Sequence, residues 1–350
     1  MGSSLFMKED FRFFWYLCPM EEQKDPVWDK QARPAPVMQT RASSINRALD
    51  EIGDRWSLLI IGDVLWGMHS FGELLAATGI SRGVLADRLK WLESIDCLRR
   101  RFPDGNPRRP SYHMTRKSVD LYDVALTSLS WERKFFRLPE VDAIELVHQG
   151  CGKVFQPLMA CQHCGREVLA SEVEFRDGPG ARRDLRKMKM RRRSFQSIRD
   201  VATERPVYKN LIHVIGDRWT ANLIALAYHG IRRFDGFHAE LPIATNVLTD
   251  RLRFLTSEGI FLAVPYSQRP MRFDYHLSEK GLALFPFFVA LLQWGDKWCG
   301  DGSGPPMIMT HKACGEHLVG EVRCDQCHQH VTAHSVTLQG RSDSGEARAE

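Results

Sequence analysis

The sequence predicts a mainly α chain with small β wings (α+β), built as two tandem copies of one helix-rich unit, each followed by a small cysteine-bearing module. Three observations predict it. "IGDRW" at Ile52–Trp56 returns at Ile215–Trp219, "DRL" at Asp87 returns at Asp250, "YHMT" at Tyr112 is answered by "YHLS" at Tyr275, and Trp131 by Trp294, always 163 positions on. Such register over more than a hundred residues marks an internal repeat. Within each copy apolar residues recur at helical spacing. Each copy ends in H-x2-C-x9-C-x2-C: His148, Cys151, Cys161, Cys164 and then His311, Cys314, Cys324, Cys327.

The totals are compatible with this. A chain of 350 residues can bury several cores. With 43% hydrophobic and 26% charged residues it reads as an ordinary soluble protein, and a formal charge of +5 leans only weakly toward an anionic partner. No run of about 18 apolar residues offers a membrane span, so no membrane partner is expected. No basic segment followed by an apolar run and a small-residue cleavage site heads the chain. Nine cysteines in so long a chain, six of them in metal-type blocks, suggest a reduced, cytoplasmic protein rather than a disulfide scaffold. Residues 1–37, with "FRFFWYLCPM" and "KDPVWDKQARPAP", read as an irregular extension.

"SINRALDEIGDRWSLLIIGDVL" sets Ile45, Leu49, Ile52, Trp56, Leu59 and Ile60 on one stripe, with Gly53 dividing it into two helices. "FGELLAATGI" predicts a short helix closed by Gly79. "SRGVLADRLKWLESI" begins with a serine cap and spaces Leu85, Leu89 and Leu92 at i, i+4 and i+7. Two short helices joined by a Gly-containing turn suggest a helix-turn-helix. "CLRRRF" and "PSYHMT" then flank "PDGNPRR" as a hairpin with a basic tip, and "SVDLYDVALTSLSWERKFF" closes the unit with an amphipathic helix. Helices, hairpin and helix describe a winged helix. The second copy repeats it through "ATNVLTDRLRFLTSEGI", a hairpin around "PYSQRPMRF", and "GLALFPFFVALLQWGDKW". The expected division is an extension at 1–37, a winged helix at 38–140, a zinc-ribbon-like module at 141–178 and a basic linker at 179–203. A second winged helix at 204–303, a second module at 304–338 and a polar tail at 339–350 complete it.

"LDEIGDRWSLLIIGDVL…FGELL…GISRGVLADRLKWLE…YHMT" resembles the HxlR-type winged-helix transcriptional regulators of bacteria, over about residues 43–135 and again 206–298. The resemblance implies a DNA-binding regulator, in a family whose members are typically homodimers built through terminal helices. Many members carry a cysteine just ahead of the first helix, used in some for thiol sensing. Here Ser43 and Pro206 stand at that place, which speaks against sensing there.

Opposite Leu85, Leu89 and Leu92 the second helix of the first motif presents Gly83, Asp87 and Lys90, flanked by Ser81, Arg82 and Ala86. The N-terminal half of such a helix meets base edges in the major groove, and an arginine can grip guanine O6 and N7. The second copy offers Thr245, Asn246, Thr249 and Arg253 instead, so the two readers differ. Arg100, Arg101, Arg108 and Arg109 on the first wing, and Arg269 and Arg272 on the second, suit phosphates or a minor groove. Asp87 and Asp250 would repel phosphate; they are expected to pair with a neighbouring arginine or accept from cytosine N4. The run "RRDLRKMKMRRRSFQSIRD" at 182–200 is either a solvated linker or a backbone-tracking arm.

Zinc favours four tetrahedral Cys and His ligands, and C-x2-C or H-x2-C brings two of them to one ion. Each block is therefore expected to fold on itself through a nine-residue hairpin and hold one structural Zn2+, two per chain. His163, His317 and His328 rank second as ligands; Cys97 reads as a core filler; Cys18 and Cys299 have no reading. Redox or metal sensing stays open. No phosphate loop, nucleophile elbow or matched carboxylate pair is present, so an enzyme is not expected. The leading reading is a sequence-specific transcriptional regulator of double-stranded DNA, its two winged helices paired within one chain, with room for a homodimer and an unknown effector. The alternative is a zinc-stabilised interaction or scaffold protein in which one or both winged helices bind protein.

Overall fold

The computed structural model describes residues 37–103, 109–187 and 208–340. Strand β1 (Val37–Arg41) leads into α1 (Ser44–Ile52) and α2 (Arg55–Leu65), which break at Gly53 as the apolar stripe requires. The helix-turn-helix is α3 (Phe71–Thr78) and α4 (Arg82–Ser94). A capping box of Ser70 and Glu73 starts α3, and Ser81 caps α4 by accepting from the Val84 amide. Leu85, Leu89 and Leu92 are at most 1% exposed, so the predicted buried face is the one observed. The wing pairs β2 (Leu98–Arg101) with β3 (Ser111–Met114) in antiparallel register, and α5 (Arg116–Val119) and α6 (Tyr122–Phe136) follow.

The second unit repeats this order. Helices α8 (Lys209–Ile215) and α9 (Arg218–Tyr228) precede the motif α10 (Phe234–Glu240) and α11 (Thr245–Ser257). A longer wing, β9 (Phe261–Gln268) with β10 (Met271–Leu277), then leads to α12 (Glu279–Leu282) and α13 (Phe285–Trp298). Helix α13 is buried nearly all round, with Phe285, Phe287, Phe288, Leu291 and Trp294 at most 3% exposed. Each such side chain contributes roughly 1.5–3 kcal/mol by leaving water. It finds cover across the repeat boundary, packing on α1 and α6 of the first unit.

Reciprocal bonds cross the boundary. The Trp131 indole donates to the Lys280 carbonyl at 2.9 Å, and the Trp294 indole donates to the Lys117 carbonyl at 2.8 Å. These four residues are two pairs at the repeat offset. The Glu132 carboxylate of α6 accepts from the Leu211 amide at 2.7 Å and the Asn210 side chain at 2.9 Å, capping α8 of the other unit. At the counterpart position stands Gly295, where a Cβ would sit 2.3 Å from the Ser44 carbonyl oxygen. Only glycine lets α1 and α13 approach so closely.

The cysteine blocks depart from expectation. After α7 (Pro139–Asp142), the first contains β4 (Ile144–His148), β5 (Lys153–Val154) and β6 (Pro157–Cys161), followed by β7 (Val173–Asp177); the second contains β11 (Met307–His311), β12 (Gly320–Cys324) and β13 (Val336–Gly340). β4 pairs with β13, β6 with β12, and β7 with β11, all antiparallel. The blocks thus interlock through three small antiparallel sheets, each joining strands of both repeats, rather than forming two separate ribbons. The start of the basic run is also not a linker: β8 (Arg183–Lys187) pairs with β1. Residues 188–200 of that run, Arg108, Pro206, Cys18 and nearly all of the 1–37 extension and 339–350 tail lie outside the described residues.

Candidate functional site

Each ligand pair sits in the same tight turn. The Gly152 amide donates to the His148 carbonyl at 2.7 Å; Gly165 to Cys161, Gly315 to His311 and His328 to Cys324 do so at 2.8 Å. The donor residue is left-handed in all four, with φ of 69°, 73°, 75° and 59°. Three are glycines, which reach that region without a Cβ clash. Every turn aims two ligand side chains to one side.

The turns then meet across the repeats. His148 and Cys151 join Cys324 and Cys327; Cys161 and Cys164 join His311 and Cys314. In each group the four ligand atoms lie within 4.8 Å of one another. His148 Nδ1 is 3.2 Å from Cys327 Sγ and 3.6 Å from Cys151 Sγ, and Cys151 and Cys324 sulfurs are 3.9 Å apart. Around a tetrahedral zinc, bond lengths near 2.0–2.3 Å set ligand separations of about 3.5–3.8 Å. The second group repeats the pattern, with His311 Nδ1 3.3 Å from Cys164 Sγ and 3.6 Å from Cys314 Sγ.

The expected pairing within one block is therefore corrected: each group takes half its ligands from each repeat. The physical reason is the spacer. Part of it runs on as strand β6, and five strand residues span roughly 16 Å. The two turns of one block are thus held at opposite ends, while antiparallel pairing of β6 with β12 brings Cys161 opposite Gly320 and Cys324 opposite Pro157. His163, His317 and His328 belong to neither group. Phe155, Leu146, Val168, Leu318 and Val331 beside these turns are buried in the molecule's apolar core.

The donor set fits zinc in a second respect. His311 Nε2 is buried and has no hydrogen-bond partner, with the Glu172 carboxylate 3.7 Å away. A ligating histidine commonly directs its other ring nitrogen at such a carboxylate. Four protein ligands close the coordination sphere, which suits a structural ion and leaves no place for a substrate. Cys97 stands apart: it is 0% exposed, and burial pushes its thiol up to about 12.

On the helix-turn-helix faces, Ser81, Arg82, Gly83, Asp87 and Lys90 are exposed and Ala86 is half-buried. In α11, Thr245, Asn246, Asp250 and Arg253 are exposed, while Thr249 is half-buried with its hydroxyl on the Thr245 carbonyl. The Arg82 guanidinium stands 5.8 Å over the Phe71 ring. Arg101 and Arg109 are exposed on the first wing, as is Arg99, which the sequence reading passed over within "LRRR". Arg100 is held by two bonds to Glu93 of α4, and that hydrogen bonding raises its pKa further. On the second wing Arg269 and Arg272 are exposed near the tip, but Leu262, Val264, Tyr266 and Met271 are exposed too, at 55%, 48%, 41% and 57%. Arg99 and Arg101 have Leu262 and Val264 as counterparts, so one wing is basic and the other apolar.

The shared "IGDRW" and "DRL" pieces explain each other. Asp54 accepts from the Ser57 amide and hydroxyl at 3.2 and 2.6 Å and faces Arg88 of α4 at 3.4 Å. Asp217 accepts from the Trp219 amide at 2.9 Å and pairs with Arg251 of α11. One aspartate caps the supporting helix and fixes the recognition helix against it, in both copies. Sequence reading missed these four residues, although their common offset was the available signal. Asp87 and Asp250, expected to pair with a neighbouring arginine or accept from cytosine N4, make no ion pair among the described residues.

Comparison with known proteins agrees with these units. The model of the family described as HxlR-like helix-turn-helix matches residues 51–139 and 214–303. The uncharacterized HTH-type transcriptional regulator Rv3095 of Mycobacterium tuberculosis is 40% identical over 126 residues, 36% of this chain and 80% of the relative. The uncharacterized HTH-type transcriptional regulator YvaP of Bacillus subtilis is 30% identical over 94 residues, 27% of this chain and 87% of the relative. The crystal structure of PA1607 is 29% identical and aligns with 39% of this chain and 96% of its own, at a TM-score of 0.36.

Proposed function

The chain belongs to the HxlR-like helix-turn-helix family, and from that premise we propose that it is a sequence-specific, DNA-binding transcriptional regulator whose two readers are carried on one chain. The observation that carries the reading is the pair of helices α4 and α11, each with an exposed polar N-terminal turn and each anchored by an aspartate–arginine pair. Arg82 and Asn246 are the base readers. Arg101 and Arg109 engage phosphates, joined by Arg99 and Arg108. In the second unit Arg269 and Arg272 do the same. Two structural Zn2+ ions, each held by two cysteines and one further Cys–His pair drawn across the repeats, lock the units into an intramolecular pair in the cytoplasm. The ions supply bonding that the small β sheets lack; the eight ligand residues supply its geometry.

Selection of bound sequences from a random DNA pool with the full-length, zinc-loaded protein tests this. A shared motif with two unequal half-sites is expected, because the two readers differ. Absence of any enriched sequence overturns it. A second reading has one specific observation in its favour. The apolar wing of the second unit suits a protein better than phosphates, so that unit docks a protein while the first holds DNA. Loss of binding to the selected duplex on Asn246→Ala argues against this second reading.

A further inference from the structure

A cavity of about 550 Å³ opens where the two repeats meet. Its wall includes Ile45 and Asn46 of α1, Phe175 of β7, Ala225 and Leu226 of α9, and His229, which caps the end of α9. The size is within the range of small-molecule sites. Neither the metal groups nor the helix-turn-helix faces use it.

The other half of the molecule indicates what it takes. At the repeat offset, Ile45, Ala225 and His229 correspond to Tyr208, Gly62 and Trp66. There the Tyr208 ring lies against α2, its edge 3.7 Å from where a Cβ on Gly62 would be. The Trp66 side chain stands beside the Tyr208 hydroxyl and offsets part of the burial that raises its pKa. One half of the protein thus packs a phenol of its own chain against the end of its second helix. In the other half the corresponding side chain is Ile45, shorter and without a hydroxyl, and a cavity remains.

Two polar groups beside its apolar wall fit the same chemistry, while Arg41, Arg176, Asp177 and Glu240 also line the cavity. The Asn46 side-chain oxygen is buried and accepts no hydrogen bond, an uncommon and costly state for a buried carbonyl. His229 stands where Trp66 stands in the other half, its ring centroid 4.4 Å from that of Phe175. A neutral imidazole there has one N–H to donate. A hydroxyl can accept from that N–H and donate to an amide oxygen.

We propose that this cavity binds a small uncharged hydroxyaromatic compound, its ring between Ile45, Ala225 and Leu226 and its hydroxyl at Asn46 and His229, in the place that Tyr208 fills in the other repeat. Because the wall joins α1 of one repeat to α9 of the other, occupancy sets how the two units sit against each other.

Titration calorimetry on the full-length, zinc-loaded protein tests the site without reference to DNA. The probe is 4-ethylphenol, with 4-ethylcyclohexanol and ethylbenzene as comparisons. Saturable binding of one 4-ethylphenol per chain is expected, at least tenfold tighter than either comparison. His229→Ala and Asn46→Ala should each weaken it severalfold, and Ala225→Trp, which fills the cavity, should abolish it. Tyr208→Ala should open the counterpart space and raise the stoichiometry toward two. Equal affinity for all three probes, no saturable binding, or binding unchanged in both His229→Ala and Ala225→Trp overturns the proposal. His229 lies on the surface, so its variant remains informative if Ala225→Trp does not fold. Failure to select a DNA sequence would leave these outcomes untouched, so the two readings fail separately.

Discussion

The Sγ of Cys327 lies 3.2 Å from the Nδ1 of His148, although 179 positions separate them. The second group repeats the relation between Cys164 and His311, 3.3 Å apart across 147 positions. With the proposed zinc ion bound, each group would close a loop that contains one whole helical unit. A bond that closes so long a loop removes much freedom from the unfolded chain. It also fixes one repeat to the other at two points, beyond the helix α1–α13 contact.

That helix contact depends on Gly295. A methyl group there would meet the Ser44 backbone carbonyl at 2.3 Å, and neither the Cβ nor that carbonyl can rotate away. Gly295→Ala should destabilise the protein by about 1–3 kcal/mol, the usual cost of overpacking. Urea unfolding followed by tryptophan fluorescence measures it. A midpoint equal to that of the native chain would contradict the observed approach.

Asp217 holds two jobs, capping α9 and pairing with Arg251 of the recognition helix, with both side chains largely covered. Asp217→Asn keeps the shape and removes the charge. Stability should fall by about 1–3 kcal/mol, since the part-buried arginine loses the charge of the Asp217 carboxylate. DNA affinity should fall with it, because α11 loses its anchor. Native affinity alongside reduced stability would separate the anchor from the reader.

Arg82 and Arg109 should behave differently. Arg82→Ala is expected to lose roughly 1–3 kcal/mol of discrimination between matched and scrambled duplexes, the worth of one bidentate base contact. Arg109→Ala should weaken both duplexes alike and lower the log–log salt slope by about 0.9. Titrations at several salt concentrations distinguish them, and equal loss on both duplexes for Arg82→Ala would remove it as a base reader.

The chemistry of Cys97 is set by its burial. With its thiol pushed up to about 12, almost none is thiolate at pH 8, whereas a free cysteine near 8.5 is appreciably ionised. Alkylation of the native protein at pH 8, read by mass spectrometry, should leave Cys97 unmodified, with labelling rising only as the protein unfolds. Rapid native labelling would point to a thiol that opens to solvent.

The helices were legible because their information is local. Leu85, Leu89 and Leu92 repeat with the helical period, Ser81 caps, and Gly53 interrupts. The eight ligands were legible for the same reason, since H-x2-C and C-x2-C describe single turns. Which turns meet was not. Spacing tells which residues share a turn, while the partner of Cys161 is set by the pairing of β6 with β12, a contact between distant segments. The β1–β8 pair escaped because a strongly charged run carries no strand period. The anchoring role of Asp54 and Arg88 also depends on tertiary packing, although their repetition at Asp217 and Arg251 was visible.

The most direct measurement is the metal content of two double variants. Cys151 and Cys324 share one group, whereas Cys151 and Cys161 lie in different groups of the structure but in one block of the sequence. Elemental analysis of purified Cys151→Ala/Cys324→Ala protein should find about one zinc per chain, and Cys151→Ala/Cys161→Ala should find close to none. Pairing within each block gives the reverse, close to none in the first and one in the second, and that result would contradict the exchange of ligands between the repeats.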